Sequence, residues 1–422
     1  MPPIKDHPLR YPMSNELHAR PFPTLNAPAR AAYLALASDA PDKAAERAHL
    51  IALLDRYGAP HPQPDATHYS GQIGKNMLKW ESHSEFVTYT IFGDGNAIPP
   101  FEASTFAMFP EDWLSNAPGT RITSALIRIE QSDGDDGIID KTQDWFVPES
   151  LAISRVLEDE LIIASDFRID PAGHMRMAVF ARPDTGGRRI GRVVQRLCEI
   201  ETYKAMAMLG LATSRDMGRE LSQLDTQLSA LVSQLNSEEL NSDKTLGQLL
   251  RISAALENAV AQSAYRFGAT RAYEAIVNQR IFILREDRFK GRQTFGEFMM
   301  RRFDPAMRTV ESTQTRLQSL TNRAARASDL LRTRVDVERS AQNQDLLTSM
   351  DQRADLQLRL QQTVEGLSVV AITYYAVNLA LYLLGPVEKI YGVSKVYLAA
   401  GVTPLVLLLV WWMVRRIRSK FH

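Results

Sequence analysis

Apolar and polar residues alternate with period two in four stretches of the first 185 positions: 84–92 (SEFVTYTIF), 121–130 (RITSALIRIE), 161–170 (LIIASDFRID) and 174–182 (HMRMAVFAR). Alternation carried by β-branched and aromatic residues predicts half-buried strands. Two segments between and before them read as helices, APARAAYLALA (27–37) and AERAHLIALLDRYG (45–58), so residues 1–185 are expected to form an α+β or α/β domain. The clusters GDGN (93–96), SDGDDG (132–137) and DTGGRR (184–189) mark loops, the second of them read as a hairpin turn.

From Ile190 the period lengthens. Met217, Leu221, Leu224, Leu228, Leu231 and Leu235 follow the 4-3-4-3-4 spacing of a helix-helix seam. A second helix is expected from Lys244 to Asp287, which makes residues 186–303 a helical hairpin region. Asp304 can then cap a third helix and Pro305 suits its first position. No Gly or Pro occurs from Ala306 to Glu365, sixty residues that would make about 90 Å of helix at about 1.5 Å each. The stretch 304–365 is therefore expected to be one long stalk helix running into the apolar segment that follows. Val310, Thr313, Leu317, Leu320, Ala324, Ala327 and Leu331 keep a 3-4 rhythm, a weak seam that needs the preceding hairpin or another copy of the chain.

Two runs lack any charged residue, 366–387 and 396–414, of 22 and 19 residues. About 20 are needed to cross a hydrocarbon core, so both are expected to be transmembrane helices rather than helices of a soluble core. Trp411 and Trp412 suit the interface, and Arg415, Arg416, Arg418 and Lys420 mark the cytosolic side, as do Arg353 and Arg359 before the first crossing. The turn 388–395 would be the only external part, and both the N-terminal bulk and the tail 415–422 would be cytosolic.

The 422-residue composition, 45% hydrophobic and 23% charged, is that of an ordinary folded protein. The formal charge of zero hides a basic C-terminus, where 366–422 carries six Lys/Arg against one Glu. Nothing in the remainder is basic enough for nucleic-acid binding, which sets that partner aside. The one cysteine, Cys198, cannot pair within the chain, as befits a reducing compartment, and the opening MPPIKDHPLRYP has no apolar core of a secretory signal.

The segments HPLRYPMSNELHARPFP (7–23), KWESHSEFVTYTIF (79–92) and TFGEFMMRRFDPAMRT (294–309) resemble a family of bacterial membrane-anchored proteins known as a domain of unknown function, DUF3422. The likeness spans essentially the whole chain and implies no activity. In architecture the chain also resembles the CorA and ZntB divalent-cation transporters: a cytosolic α/β domain, a stalk helix entering the first crossing, a short external turn, a second crossing and a basic tail. LSVVAITYYAVNLALYLLGPVE (367–388) is similar to their first crossing, which ends in Gly-Met-Asn. Here Gly385-Pro386-Val387 stands at that place, or YGVS (391–394) in an alternative alignment, and neither supplies the Asn. The resemblance implies a homo-pentamer and a transported or regulatory divalent cation; no other cofactor is evident.

Two helices cannot enclose a pathway, so transport would require several copies about an axis. Carrying the 3-4 rhythm of the stalk through the membrane gives a polar or small stripe that includes Gln357, Gln361, Tyr375, Asn378, Tyr382 and Gly385, with Pro386 and Glu388 at the mouth. These are the candidate pore residues. The alternative is that Asn378 hydrogen-bonds the second crossing. Rings of Glu388 and Lys389 would nearly cancel, so cation selectivity is not evident at the turn.

Elsewhere, Glu81, His83 and Glu85 alternate as though on one strand face, compatible with a metal site or with a solvated edge. Asp133, Asp135 and Asp136 lack calcium-loop spacing. Gly186, Gly187, Arg188, Arg189 and Arg192 at a helix start could hold an anion, although this is no phosphate-binding loop of the Gly-Lys-Ser/Thr kind. His18 has no nucleophile at motif spacing, and no enzyme is expected. The sequence reading is thus an α+β cytosolic domain followed by a long helical stalk and a C-terminal two-helix transmembrane hairpin of CorA-like architecture. It would sit in the bacterial inner membrane with both termini cytoplasmic, partnered by the lipid bilayer and by itself as a homo-oligomer. Its function would be ion transport, or alternatively a membrane-anchored scaffold or sensor.

Overall fold

The computed structural model describes residues 4–17, 22–38, 42–235, 242–386 and 394–421. His18, Glu388 and Lys389, and the side chains of Arg418 and Lys420, lie outside the described residues. The elements in chain order are α1 (Arg10–Leu17), β1 (Ala29–Ala37), α2 (Lys43–Arg56), β2 (His68–Ile73), β3 (Asn76–Ser82), β4 (Phe86–Asp94), a 3-10 turn (Ala103–Met108), α3 (Glu111–Ser115), β5 (Thr120–Gln131) and α4 (Asp136–Trp145). They continue as β6 (Ala152–Val156), β7 (Leu161–Ile169), β8 (Met175–Ala181), α5 (Gly187–Gln234), α6 (Ser242–Leu284), β9 (Asp287–Arg288), α7 (Phe295–Arg302), α8 (Asp304–Leu383) and α9 (Lys395–Phe421). All four period-two segments are strands. An α+β region followed by long helices, with two apolar helices at the C-terminus, is the observed fold class.

The nine strands form one sheet in the order β2-β3-β4-β1-β5-β8-β7-β6-β9. Pairing is antiparallel except between β5 and β8. Residues 27–37, read from sequence as a helix, instead supply β1 at the middle of this sheet, with Ala32 opposite both Ile91 of β4 and Leu126 of β5. The reason is burial of both faces. Ala31, Tyr33 and Ala35 face the core under α5, while Ala32, Leu34 and Leu36 face a second core under α2 and α3. A strand covered on both sides shows no alternation, and an alanine-rich one then carries the composition of a helix.

SDGDDG is likewise no hairpin. It leads into α4, with Asp135 gripped by Arg155 and by Arg182 at 2.7 Å. The chain crosses there to start β6, and α4 lays Ile138 and Trp145 on the outer face of β7 and β8.

The expected boundary at 185 is not a structural one. The first turns of α5 place Ile190, Val193, Val194, Leu197 and Ile200 in the same core as the strands. Pro23–Leu25 crosses this helix so closely that only glycine fits at 191, where a Cβ would overlap the Pro23 carbonyl oxygen. Farther along α5, Leu221, Leu224, Leu228 and Leu231 are buried as the seam predicts, and so are Val310, Leu317, Leu320, Ala324 and Ala327 of α8. Arg323 of α8 donates to Asp225 of α5 at 2.8 Å. The short α7 is held at its start by the Thr294/Glu297 capping box and by Glu286, which accepts from the Phe295 and Gly296 amides at 3.0 and 2.8 Å.

Two compact units result: Met1–Leu240 with Gly247–Ala327, and Asn241–Leu246 with Ser328–His422. In the second, Ser242 donates to Glu338 at 2.8 Å, and Leu331 and Val335 are buried. From residue 339 to residue 368 every α8 side chain is exposed.

Candidate functional site

Two features of the chain invite function, one in each unit. In the second unit, the end of α8 and most of α9 are long and apolar enough to cross a membrane. Many of their large side chains are exposed, Leu367, Val370, Leu379 and Leu383 on α8 and Leu405, Leu408 and Leu409 on α9 among them, while Val410 is buried. The polar groups inside these runs fold back onto their own helix. Thr373 and Thr403 each donate to the carbonyl four residues earlier at 2.7 Å, and the Asn378 amide donates to the Tyr374 carbonyl at 3.0 Å. In a medium without water this is how such groups are satisfied. At the far end of α9, Arg415 lies over the Trp411 ring at 5.0 Å and Arg416 over Trp412 at 5.1 Å, a cation-aromatic girdle of the kind found at lipid headgroups.

The residues read as a pore stripe do not converge within one chain. Gln357, Gln361, Tyr375, Tyr382 and Pro386 are exposed, Asn378 and Gly385 half-exposed. The Asn378 amide donates within its own helix, to the Tyr374 carbonyl, rather than to the second crossing.

The first unit holds a polar cavity of about 290 Å³ between the sheet and the helices α5 and α6. Two periodicities build it. On β4 every second residue from 86 to 92 points in, giving Phe86, Thr88, Thr90 and Phe92, while β3 adds Lys79 and Glu81. Opposite them, α5 presents Gln195, Arg196, Cys198, Glu199, Thr202 and Tyr203 at helical spacing, and α6 adds Arg280. Phe22 and Tyr33 complete the aromatic wall.

Its charges are interlocked. Lys79, only 5% exposed, donates to Gln195 Oε1 at 2.5 Å and pairs with Glu81 at 3.2 Å. The Gln195 amide donates to Glu199 at 2.8 Å, and Arg280 pairs with the same Glu199. Arg196 is the exception: it is in no ion pair among the described residues, its one hydrogen bond there is to the Ile283 carbonyl at 3.5 Å, and Glu199 acts on it only by charge. Burial first, then the neighbouring Arg192 and Arg280, lower its pKa. Tyr33 donates to or accepts from Thr202, and burial, followed by the nearby Cys198, pushes its hydroxyl far above the ordinary range. Burial also raises the Cys198 thiol, which keeps it protonated and a poor nucleophile.

Glu81, His83 and Glu85 do not share a strand face, because β3 ends at Ser82 and the chain turns there. Glu81 reaches Lys79, His83 stacks on Phe86 at 4.4 Å, and Glu85 pairs with Arg266 at 2.6 Å and accepts from Tyr273. Among the described residues no group of three His, Cys, Asp or Glu side chains could hold a metal ion. At the glycine-arginine helix start, the Gly187 carbonyl and two of the three arginines have partners within the protein. Leu25 N donates to Gly187 O at 3.1 Å, Arg189 pairs with Glu160, and Arg192 lies over the Phe22 ring, while Arg188 has no ion pair among the described residues.

Glu81 and His83, singled out in the sequence as a metal site or a solvated edge, line this cavity, whereas Lys79, Gln195, Arg196 and Glu199 were passed over. The signal available was Lys79, Thr88 and Thr90, polar residues on strand faces where apolar ones were due.

The fold and these features define an α+β protein with long helices and two helices capable of spanning a membrane. The chain belongs to the family described as Protein of unknown function (DUF3422), which matches residues 5–421. No curated protein and no solved structure matches it. Nothing in these comparisons supports the likeness to the CorA and ZntB transporters.

Proposed function

We propose that this protein is a membrane-tethered small-molecule sensor: the C-terminal hairpin anchors it in the bilayer, and the cavity of the first unit captures a ligand on the cytosolic side. The observation that carries the reading is the cavity itself, where buried Lys79 pairs with Glu81 and partly buried Arg280 with Glu199, while the partly buried Arg196 is in no ion pair among the described residues. A concave, partly aromatic space on which a few charged and polar groups converge is the usual form of a small-molecule site. The anchor follows from the exposed apolar helices, since a patch of that extent in water is an aggregation hazard. Orientation follows from Arg415 and Arg416, which belong on the cytosolic side together with the N-terminal bulk.

Native mass spectrometry of the full chain, released from a mild detergent, tests the reading. A small molecule retained at unit stoichiometry is the expected result; a protein that carries nothing, and that shows no stabilisation by any compound in a metabolite panel, refutes it. CorA-type transport of a divalent cation is the second reading. It is favoured by the unpartnered leucines between 339 and 368, among them Leu346, Leu347, Leu356 and Leu360, which call for assembly into several copies. Cation flux in liposomes, lost on Asn378→Leu, would support it, and an absence of flux would remove it.

A further inference from the structure

We propose that the cavity between β3, β4 and α5 binds a small organic monoanion, a carboxylate, with Arg196 as its counter-ion and the aromatic wall against its apolar body. This rests on the sensor reading and names the class of ligand.

Three observations carry it. The first is the charge count. Lys79, Arg196 and Arg280 face Glu81 and Glu199 across the cavity. Lys79 pairs with Glu81 and Arg280 with Glu199, which also lies near enough to act on Arg196, so these lining side chains carry one positive charge in excess and Arg196 is in no ion pair among the described residues. Arg196 is partly buried, so water screens its charge only in part, and a negative group bound beside it would complete the set. A cationic ligand would have to take Glu81 or Glu199 from its present partner and would leave Arg196 as it is.

The second is geometry. The one contact of Arg196 is a carbonyl at 3.5 Å, at the outer limit of a hydrogen bond, so the planar fork of the guanidinium keeps its donors for a flat two-oxygen acceptor. Lysine at this place would offer only a point charge. The third is size and wall. A space of about 290 Å³ is at the small end of ligand sites. Phe22, Phe86 and Phe92 give it an apolar side, while Thr88 and Thr90 offer hydroxyls between the two phenylalanines of β4. A single-ring or short-chain carboxylate fits these limits.

The test uses the full chain in detergent at constant ionic strength, with benzoate and hexanoate as probes and benzamide and hexanamide as their uncharged counterparts. The thermal midpoint is read against concentration. The carboxylates should raise it saturably, at least tenfold more tightly than the amides. Arg196→Gln should abolish that preference and leave the ligand-free midpoint unchanged or higher, because it removes an uncompensated charge; a merely structural arginine would lower it. Arg196→Lys should retain a weakened preference. Amides equal to carboxylates, inorganic phosphate tighter than either carboxylate, or an Arg196→Gln protein that still prefers carboxylates would each overturn the proposal. If native mass spectrometry shows a retained cation or neutral compound, the carboxylate is wrong and the sensor stands; if nothing is retained and no probe binds, both fall.

Discussion

Leu405 and Leu408 sit at the middle of the apolar run of α9 and are 69% and 64% exposed. Their environment decides what replacing them would do. If these side chains face water, Leu→Arg at such positions changes stability by no more than about 0.5 kcal/mol each. If they face hydrocarbon, each change exchanges a leucine worth about −0.5 kcal/mol for an arginine costing about 2.5 to 3.5 kcal/mol at a helix centre, so the pair costs about 6 to 8 kcal/mol. At about 1.4 kcal/mol per decade, that moves the insertion equilibrium by roughly four to six orders of magnitude. The assay is alkaline extraction of membranes from cells producing the protein or the Leu405→Arg/Leu408→Arg variant. The parent should stay in the pellet and the variant should be released or degraded. Thr348→Arg, equally exposed but outside the apolar run, should behave as the parent. A double variant that remains in the membrane in parental amount would refute the assignment of α9 as a crossing, and with it the anchor.

Other consequences concern the first unit. Gly191→Ala puts a Cβ into the Pro23 carbonyl and should destabilise by about 1 to 3 kcal/mol in a denaturant titration, since backbone on both sides cannot yield as a side chain would; an unchanged midpoint would show that the 22–26 segment is not packed on α5. His49, stacked on Trp113 at 4.0 Å, is held down to about 4 by burial, so between about pH 6.5 and 4 the unfolded chain binds a proton that the folded one refuses. Its contribution is complete above about pH 6.5 and is lost as the pH falls toward 4; His49→Phe should lose less stability between pH 7.5 and 5 than the parent, and an identical loss would exclude His49 as the cause. Cys198 is buried and its thiol is raised, so N-ethylmaleimide at pH 8 should leave the native protein unmodified and label it fully in urea, by mass. Rapid labelling of the native protein would mean that the cavity floor is open.

Much of this architecture is local information. The seam of α5, the uninterrupted α8 and the two apolar C-terminal runs follow from spacings of three or four residues and from run length. A helix satisfies its own backbone and needs only one stripe to be apolar. The strands β4, β5, β7 and β8 were legible for a similar reason, each showing alternation over at least part of its length. What the sequence could not decide by itself was anything that depends on being covered twice or on meeting a distant partner. Ala29–Ala37 became a central strand because helices cover both of its faces, which erases the period that would have identified it. SDGDDG became a crossover because β5 pairs parallel with β8 rather than turning back on itself. The cavity is the extreme case. Lys79 and Gln195 are separated by 116 positions, and neither marks a site until the sheet and α5 close over them. Charge compensation is a property of neighbours in space, so Arg196, in no ion pair among the described residues while Lys79 and Arg280 beside it have theirs, could be recognised only once the sheet and α5 were together.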